Sequence, residues 1–83
     1  MHKTFGEVLR AERIKQGRTV QMVANDCGTS RSYITLIENG KRNPGKKILS
    51  KIAFALNLKT TVVLNWYLED ISQKIQKDLE RSE

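Results

Sequence analysis

Cysteine is nearly absent: Cys27 is the only one in 83 residues. A single thiol closes no internal disulfide and builds no cysteine-based metal site. Two readings of it stay open, a small buried hydrophobe and a redox switch, and nothing nearby supports the second. Histidine is equally rare, and the one present, His2, sits beside the chain start. There is no nucleophile–base pairing, no phosphate-cradling glycine loop and no cluster of metal ligands. The expectation is a protein that is not an enzyme and uses neither metal nor cofactor. Apolar runs are short. None approaches the ~20 residues of a membrane helix, and Met1-His2-Lys3 leads into no signal-like stretch. The expected location is the cytoplasm, with no membrane partner. Strand signals are missing as well: the only β-branched cluster, Thr60-Thr61-Val62-Val63, runs into a helical pattern.

Acidic residues are scarce in one part of the chain only. Residues 1–58 hold eleven Lys/Arg against four Asp/Glu, a net +7, whereas residues 59–83 hold four against five, a net −1. A basic domain with a near-neutral tail suggests nucleic acid as partner. The plain alternative is a basic surface that serves solubility alone. The length predicts one small domain near the lower limit for folding alone, where a second copy would help.

What remains reads as five helices. Thr4 and Glu7 make an S/T-x-x-E capping box, Phe5, Val8 and Leu9 share a face, and Gly17 ends the first helix. Thr19 caps the second, where Val20, Val23, Ala24 and Cys27 form an apolar stripe at i, i+3, i+4, i+7 and Gly28 is the stop. Ser30 caps the third. Ile34 and Ile37 mark its inner side, and Asn39-Gly40 ends it. Asn43-Pro44 is expected to open the fourth, with asparagine as cap and proline at the first helical position. Ile48, Leu49, Ile52, Ala53 and Leu56 give its core face, and Asn57 is a left-handed stop. Thr60 is expected to cap a fifth helix running to about Leu79.

The second and third helices are short and joined by a few residues around Gly28-Thr29, which matches a helix-turn-helix over about residues 20–39. The longer string Thr19, Val23-Ala24, Gly28, Ser30, Ile34, Ile37-Glu38, Gly40, Arg42, Pro44 resembles the Cro/phage-repressor type of helix-turn-helix domain, the XRE-like family. The resemblance covers roughly Phe5 to Leu64. It implies an all-α, compact five-helix repressor-type domain whose third helix enters the DNA major groove, here with an extended C-terminal fifth helix. Two positions depart from the family pattern. Val20 stands where the family has a phosphate-holding glutamine, so that contact is either missing or replaced by Gln21 or Thr19. Arg18 stands where an apolar leucine is common, adding one charge.

The family's docking mode assigns the roles. A major groove about 12 Å wide admits one helix, and its N-terminal residues meet base edges. Those are Arg31 and Ser32, then Thr35 and Leu36. Arg31 suits bidentate pairing with guanine, although the bland reading is a solvated arginine. Tyr33 is ambiguous between core cover and a phosphate contact. Phosphate contacts are expected from Arg18, Thr19, Gln21, Tyr33, Asn39, Lys41, Arg42, Lys46 and Lys47, while Lys51 is read as solvated surface. The start of the fourth helix adds free N–H groups. Glu38 looks misplaced on such a surface. The resemblance resolves this by pairing it with Arg13 of the first helix, against the alternative of two unrelated surface charges.

The tail carries its own pattern. Leu64, Leu68, Ile71 and Ile75 step by four, three and four residues, with Leu79 beyond and Trp66 and Tyr67 beside them. An apolar stripe beyond the core marks a partner surface. The expected division is a DNA-binding domain over residues 5–64 and a dimerising extension over 65–83, with Leu64, Tyr67, Leu68, Ile71 and Ile75 at a homodimer interface. The alternative is packing back over the first helix. A dimeric repressor or controller reading a palindromic double-stranded operator is the leading expectation. The other class is a protein-binding module on the same fold, an antitoxin or antiactivator, whose fifth helix meets a protein partner.

Overall fold

The computed structural model describes residues 3–81 as five α-helices: α1 Phe5–Lys15, α2 Val20–Cys27, α3 Arg31–Glu38, α4 Lys46–Ala55 and α5 Thr60–Arg81. No strand occurs among the described residues. Local chemistry fixes most boundaries. The Thr4 hydroxyl accepts from the Glu7 N–H while the Glu7 carboxylate accepts from the Thr4 N–H, closing the capping box on α1. Thr19 accepts from the Met22 N–H, and the Met22 sulfur stands where a box usually has Glu or Gln. The Ser30 hydroxyl accepts from the Tyr33 N–H at 3.1 Å.

The helix ends share one pattern. At α3 the Gly40 N–H donates to the Ile37 carbonyl and the Lys41 N–H to the Leu36 carbonyl, the paired bonds of a Schellman motif. Gly40 has φ 73°, where a side chain is disfavoured. The same bonding closes α1, α2 and α4, with Asn57 taking the left-handed position after α4.

Two starts differ from expectation. Helix α4 begins at Lys46, with Gly45 as a cap that offers no side-chain bond, instead of at Asn43-Pro44. Pro44 is buried, and its ring shares a small cavity with Gly6, Ile37 and Tyr67. Burial of the ring holds residues 43–45 in a non-helical connection, and the helix starts only after it. Thr60 is the first residue of α5 and not its cap; the Lys59 carbonyl accepts from the Val62 and Val63 N–H groups. The helix runs two residues past Leu79.

One core joins all five helices. Leu9, Val23, Ala24, Ile34, Ile52 and Val63 are fully buried in it. Each large aliphatic side chain so buried contributes about 1.5–3 kcal/mol relative to exposure. The expected division at 64/65 falls inside a continuous packed helix. Tyr67 meets Phe5 edge to face with ring centroids 5.7 Å apart, and the buried Asp70 accepts from the Phe5 N–H. The first half of α5 therefore belongs to the same folded unit as α1. Only beyond Ile71 does the helix run clear, with every described residue from 72 to 81 exposed.

Candidate nucleic-acid interface

Helix α3 divides cleanly by face. Ile34 and Ile37 are buried, and Glu38 is buried beside them. Arg31, Ser32, Thr35 and Leu36 are all exposed, and the spacing of an α-helix places them on one continuous outer face. Leu36, 38% exposed, is the one large apolar side chain on that face.

The inner face is held by charge as well as by packing. Arg13 donates through Nε to Glu38 Oε2 at 2.7 Å and through Nη2 to Oε1 at 3.0 Å. Its third nitrogen, Nη1, donates to the Arg18 carbonyl at 2.8 Å. The two side chains are only 11% and 5% exposed. The hydrogen bond to Glu38 raises the guanidinium pKa above its ordinary value, against the opposing effect of burial. Glu38 thus faces away from any polyanion docked on α3.

Cations flank the outer face. Lys41 and Arg42 follow α3, and the Arg42 guanidinium lies over the Tyr33 ring, 4.8 Å from its centroid. That stacking gives Arg42 a fixed station at the end of the helix. A groove between the α2–α3 turn and the start of α4 is lined by Thr29, Tyr33, Lys46, Lys47 and Lys51. Lys51, read from the sequence as plain surface, thus shares the groove with Lys46 and Lys47. Helix α4 also presents its first N–H groups there, since Gly45 supplies no cap. Thr19, Gln21 and Asn39 are exposed; the Thr19 hydroxyl caps α2 and the Gln21 amide donates to Asn25 at 2.8 Å.

Arg18, expected among the phosphate contacts, is half-buried, paired with Asp26 and donating to the Ala55 carbonyl at the end of α4. A guanidinium at a helix C-terminus meets the orphan carbonyls and the negative end of the dipole. Gln16 does the neighbouring job, donating to the Leu56 carbonyl at 2.9 Å. Arg18 is therefore a brace between α2 and α4.

The pattern of the helix-turn-helix family matches residues 9–63, well over half of the chain. The chain belongs to the XRE-type helix-turn-helix family. Among this family's members, the transcriptional regulator ClgR of Mycobacterium tuberculosis is 39% identical over 64 residues, 77% of this chain and 57% of that protein. The HTH-type transcriptional repressor RghR of Bacillus subtilis is 42% identical over 57 residues, 68% of this chain and 42% of that protein. The chain thus spans about half the length of these relatives. The restriction-modification controller protein C.AhdI from Aeromonas hydrophila superposes with a TM-score of 0.68 at 32% identity, covering 71% of this chain and 89% of that one. These relatives are named as a regulator, a repressor and a controller.

Gly6 and Asp70 of this XRE-type domain pack in ways that the sequence pattern did not announce. Gly6 lies inside the first turn of α1, and a Cβ there would stand 2.3 Å from the Ile37 carbonyl oxygen and 2.5 Å from that of Glu38. Only a glycine lets α1 approach the end of α3 so closely. A glycine within a helical pattern was the available signal. Asp70 lies on the same face of α5 as Val63 and Tyr67, and that spacing was its signal. Of the expected dimer residues, Tyr67 and Ile71 are half-buried in their own domain, Tyr67 against Phe5. Leu64, Leu68 and Ile75 are exposed, as is Leu79. Phe54 on α4 is 79% exposed, the most exposed large apolar residue described, and was not anticipated.

Cys27 is 1% exposed. Burial first, and the neighbouring Asp26 second, push its thiol pKa up, while Lys51 and Arg18 pull weakly the other way. That makes it a packed hydrophobe and not a reactive thiol. Among the described residues no group of three or more His, Cys, Asp or Glu could hold a metal ion, and no helix is long and apolar enough to cross a membrane.

Proposed function

We propose that the chain is a sequence-specific DNA-binding transcriptional regulator, a dimeric repressor or controller that reads a palindromic operator with α3 in the major groove. The observation that carries this reading is the division of α3. Its inner face is locked by Ile34, Ile37 and the Arg13–Glu38 pair, leaving Arg31, Ser32, Thr35 and Leu36 outward on a rigid base. Rigid presentation of a few side chains is what base-edge readout needs. Lys41, Arg42, Lys46 and Lys47 would neutralise backbone phosphates on either side, with Thr19, Gln21, Tyr33 and Asn39 adding polar contacts.

A second copy would dock on α5 through Leu64, Leu68 and Ile75, with Ile71 at the margin. Such a dimer would offer one α3 to each of two successive major grooves, about 34 Å apart on one face of the duplex. The relatives' names, a regulator, a repressor and a controller, agree with this reading.

Titration with duplex DNA at several salt concentrations tests it. With four cations from each of two copies, neutralising about eight phosphates predicts log affinity falling against log salt with a slope of roughly −7. The exposed apolar stripe of α5 favours a second reading, a module that binds another protein through that helix. A flat salt response with no duplex preference would favour it over the first.

A further inference from the structure

We propose that Asp70 is a positioning residue for the DNA-gripping end of α3, acting through the first turn of α1. Its carboxylate Oδ2 accepts from the Phe5 N–H at 2.9 Å and pairs with Lys74 Nζ at 3.2 Å, in a side chain only 4% exposed. Phe5 is the first residue of α1, so a buried anion sits at the positive end of that helix and fixes where it begins. Gly6, the next residue, presses its backbone directly on the Ile37 and Glu38 carbonyls. Those carbonyls belong to the last turn of α3, and the Ile37 carbonyl also accepts the Gly40 N–H.

The order of contact is therefore α5 to α1 to α3 to the connection that presents Lys41 and Arg42. One cavity of about 20 Å³ records the meeting, lined in part by Gly6, Ile37, Gly40, Arg42, Pro44 and Asp70. It has room for about one water. Close backbone packing of this kind transmits displacement instead of absorbing it. Asp70 also sits on the helix that carries the apolar stripe, so the turn that holds phosphates and the proposed docking surface share one rigid support.

The geometry of this link stands without the functional reading; its consequence for DNA rests on that reading. Hydrogen exchange on the full chain tests the two separately. In Asp70→Ala the Gly40 and Lys41 amides should exchange about tenfold faster, the effect expected from losing a hydrogen bond to a charged acceptor. The Ala24 and Ile52 amides, far from the link, should change much less. Asp70→Asn keeps an acceptor oxygen for the Phe5 N–H and should recover part of the protection; it also serves if the alanine variant does not fold. Exchange that rises equally at all four amides, or at none, overturns the proposal. Binding to a mixed-sequence duplex should weaken about fivefold in Asp70→Ala with base preference unchanged. If the unaltered protein binds no duplex, the functional reading falls while the exchange pattern still decides the role of Asp70.

Discussion

Arg13 and Glu38 meet in a two-pronged ion pair that ties α1 to α3 across 25 positions of sequence. A guanidinium fork matches a carboxylate plane, so the pair fixes rotation of α3 as well as distance. It also explains how an acid sits on a helix proposed to face a polyanion: the carboxylate is turned inward and neutralised. Removing either partner leaves the other buried and uncompensated. Arg13→Ala and Glu38→Ala should each lower unfolding stability by about 3–5 kcal/mol in urea titrations. Near-neutral values for both would show that the pair is decorative.

Arg31 and Lys41 should fail differently. Arg31→Ala should weaken binding to the preferred duplex by about 1–3 kcal/mol and relax preference at one base. Lys41→Ala should weaken all duplexes alike and reduce the salt slope by about one per copy, roughly two for the dimer. Competition binding with matched and mismatched duplexes separates the two effects. Equal losses on every duplex for Arg31→Ala would remove it from the base-reading set.

Gly6→Ala places a methyl group against backbone oxygens that no rotamer change can move aside. The cost should be about 1–3 kcal/mol of stability, as for other overpacked sites. Gly45→Ala is the control, since a Cβ there meets nothing within 4 Å. Comparable losses in the two variants would contradict the close approach of α1 to α3.

Cys27 should resist alkylating reagents in the native protein and react readily in denaturant. The folded chain holds the thiol proton more tightly than the unfolded chain. Its contribution to stability is therefore present below the ordinary thiol pKa and lost as pH rises through the folded value. Native reaction as fast as that of the unfolded chain would show the site to be open.

The exposed apolar residues of α5 give a test of assembly. Leu68→Glu together with Ile75→Glu should weaken self-association at least about tenfold by sedimentation equilibrium, with helix content retained. An unchanged mass distribution would assign that stripe to another partner.

Much of this architecture is written locally. Thr4, Thr19 and Ser30 announce helix starts because a hydroxyl can satisfy a free N–H group wherever it stands. Gly17, Gly28, Gly40 and Asn57 announce ends because a left-handed residue is needed there. What escaped depends on partners distant in sequence. Asp70 carries no local signal for its partner, and only the fold brings it to Phe5, 65 positions away. Arg18 carried a free charge in sequence, and only packing delivers it to the end of α4. Pro44 misled because its two roles conflict. A proline suits the first turn of a helix, but burial of its ring settled the local structure instead.

If α3 reads bases through its outer face, a paired selection will show it. The unaltered protein and Arg31→Ala would each select duplexes from the same random pool at one fixed salt concentration. The expected result is a palindrome with half-site centres about one helical turn apart, and loss of one symmetric base preference in Arg31→Ala. A preferred sequence identical in the two selections, or none in either, would contradict it.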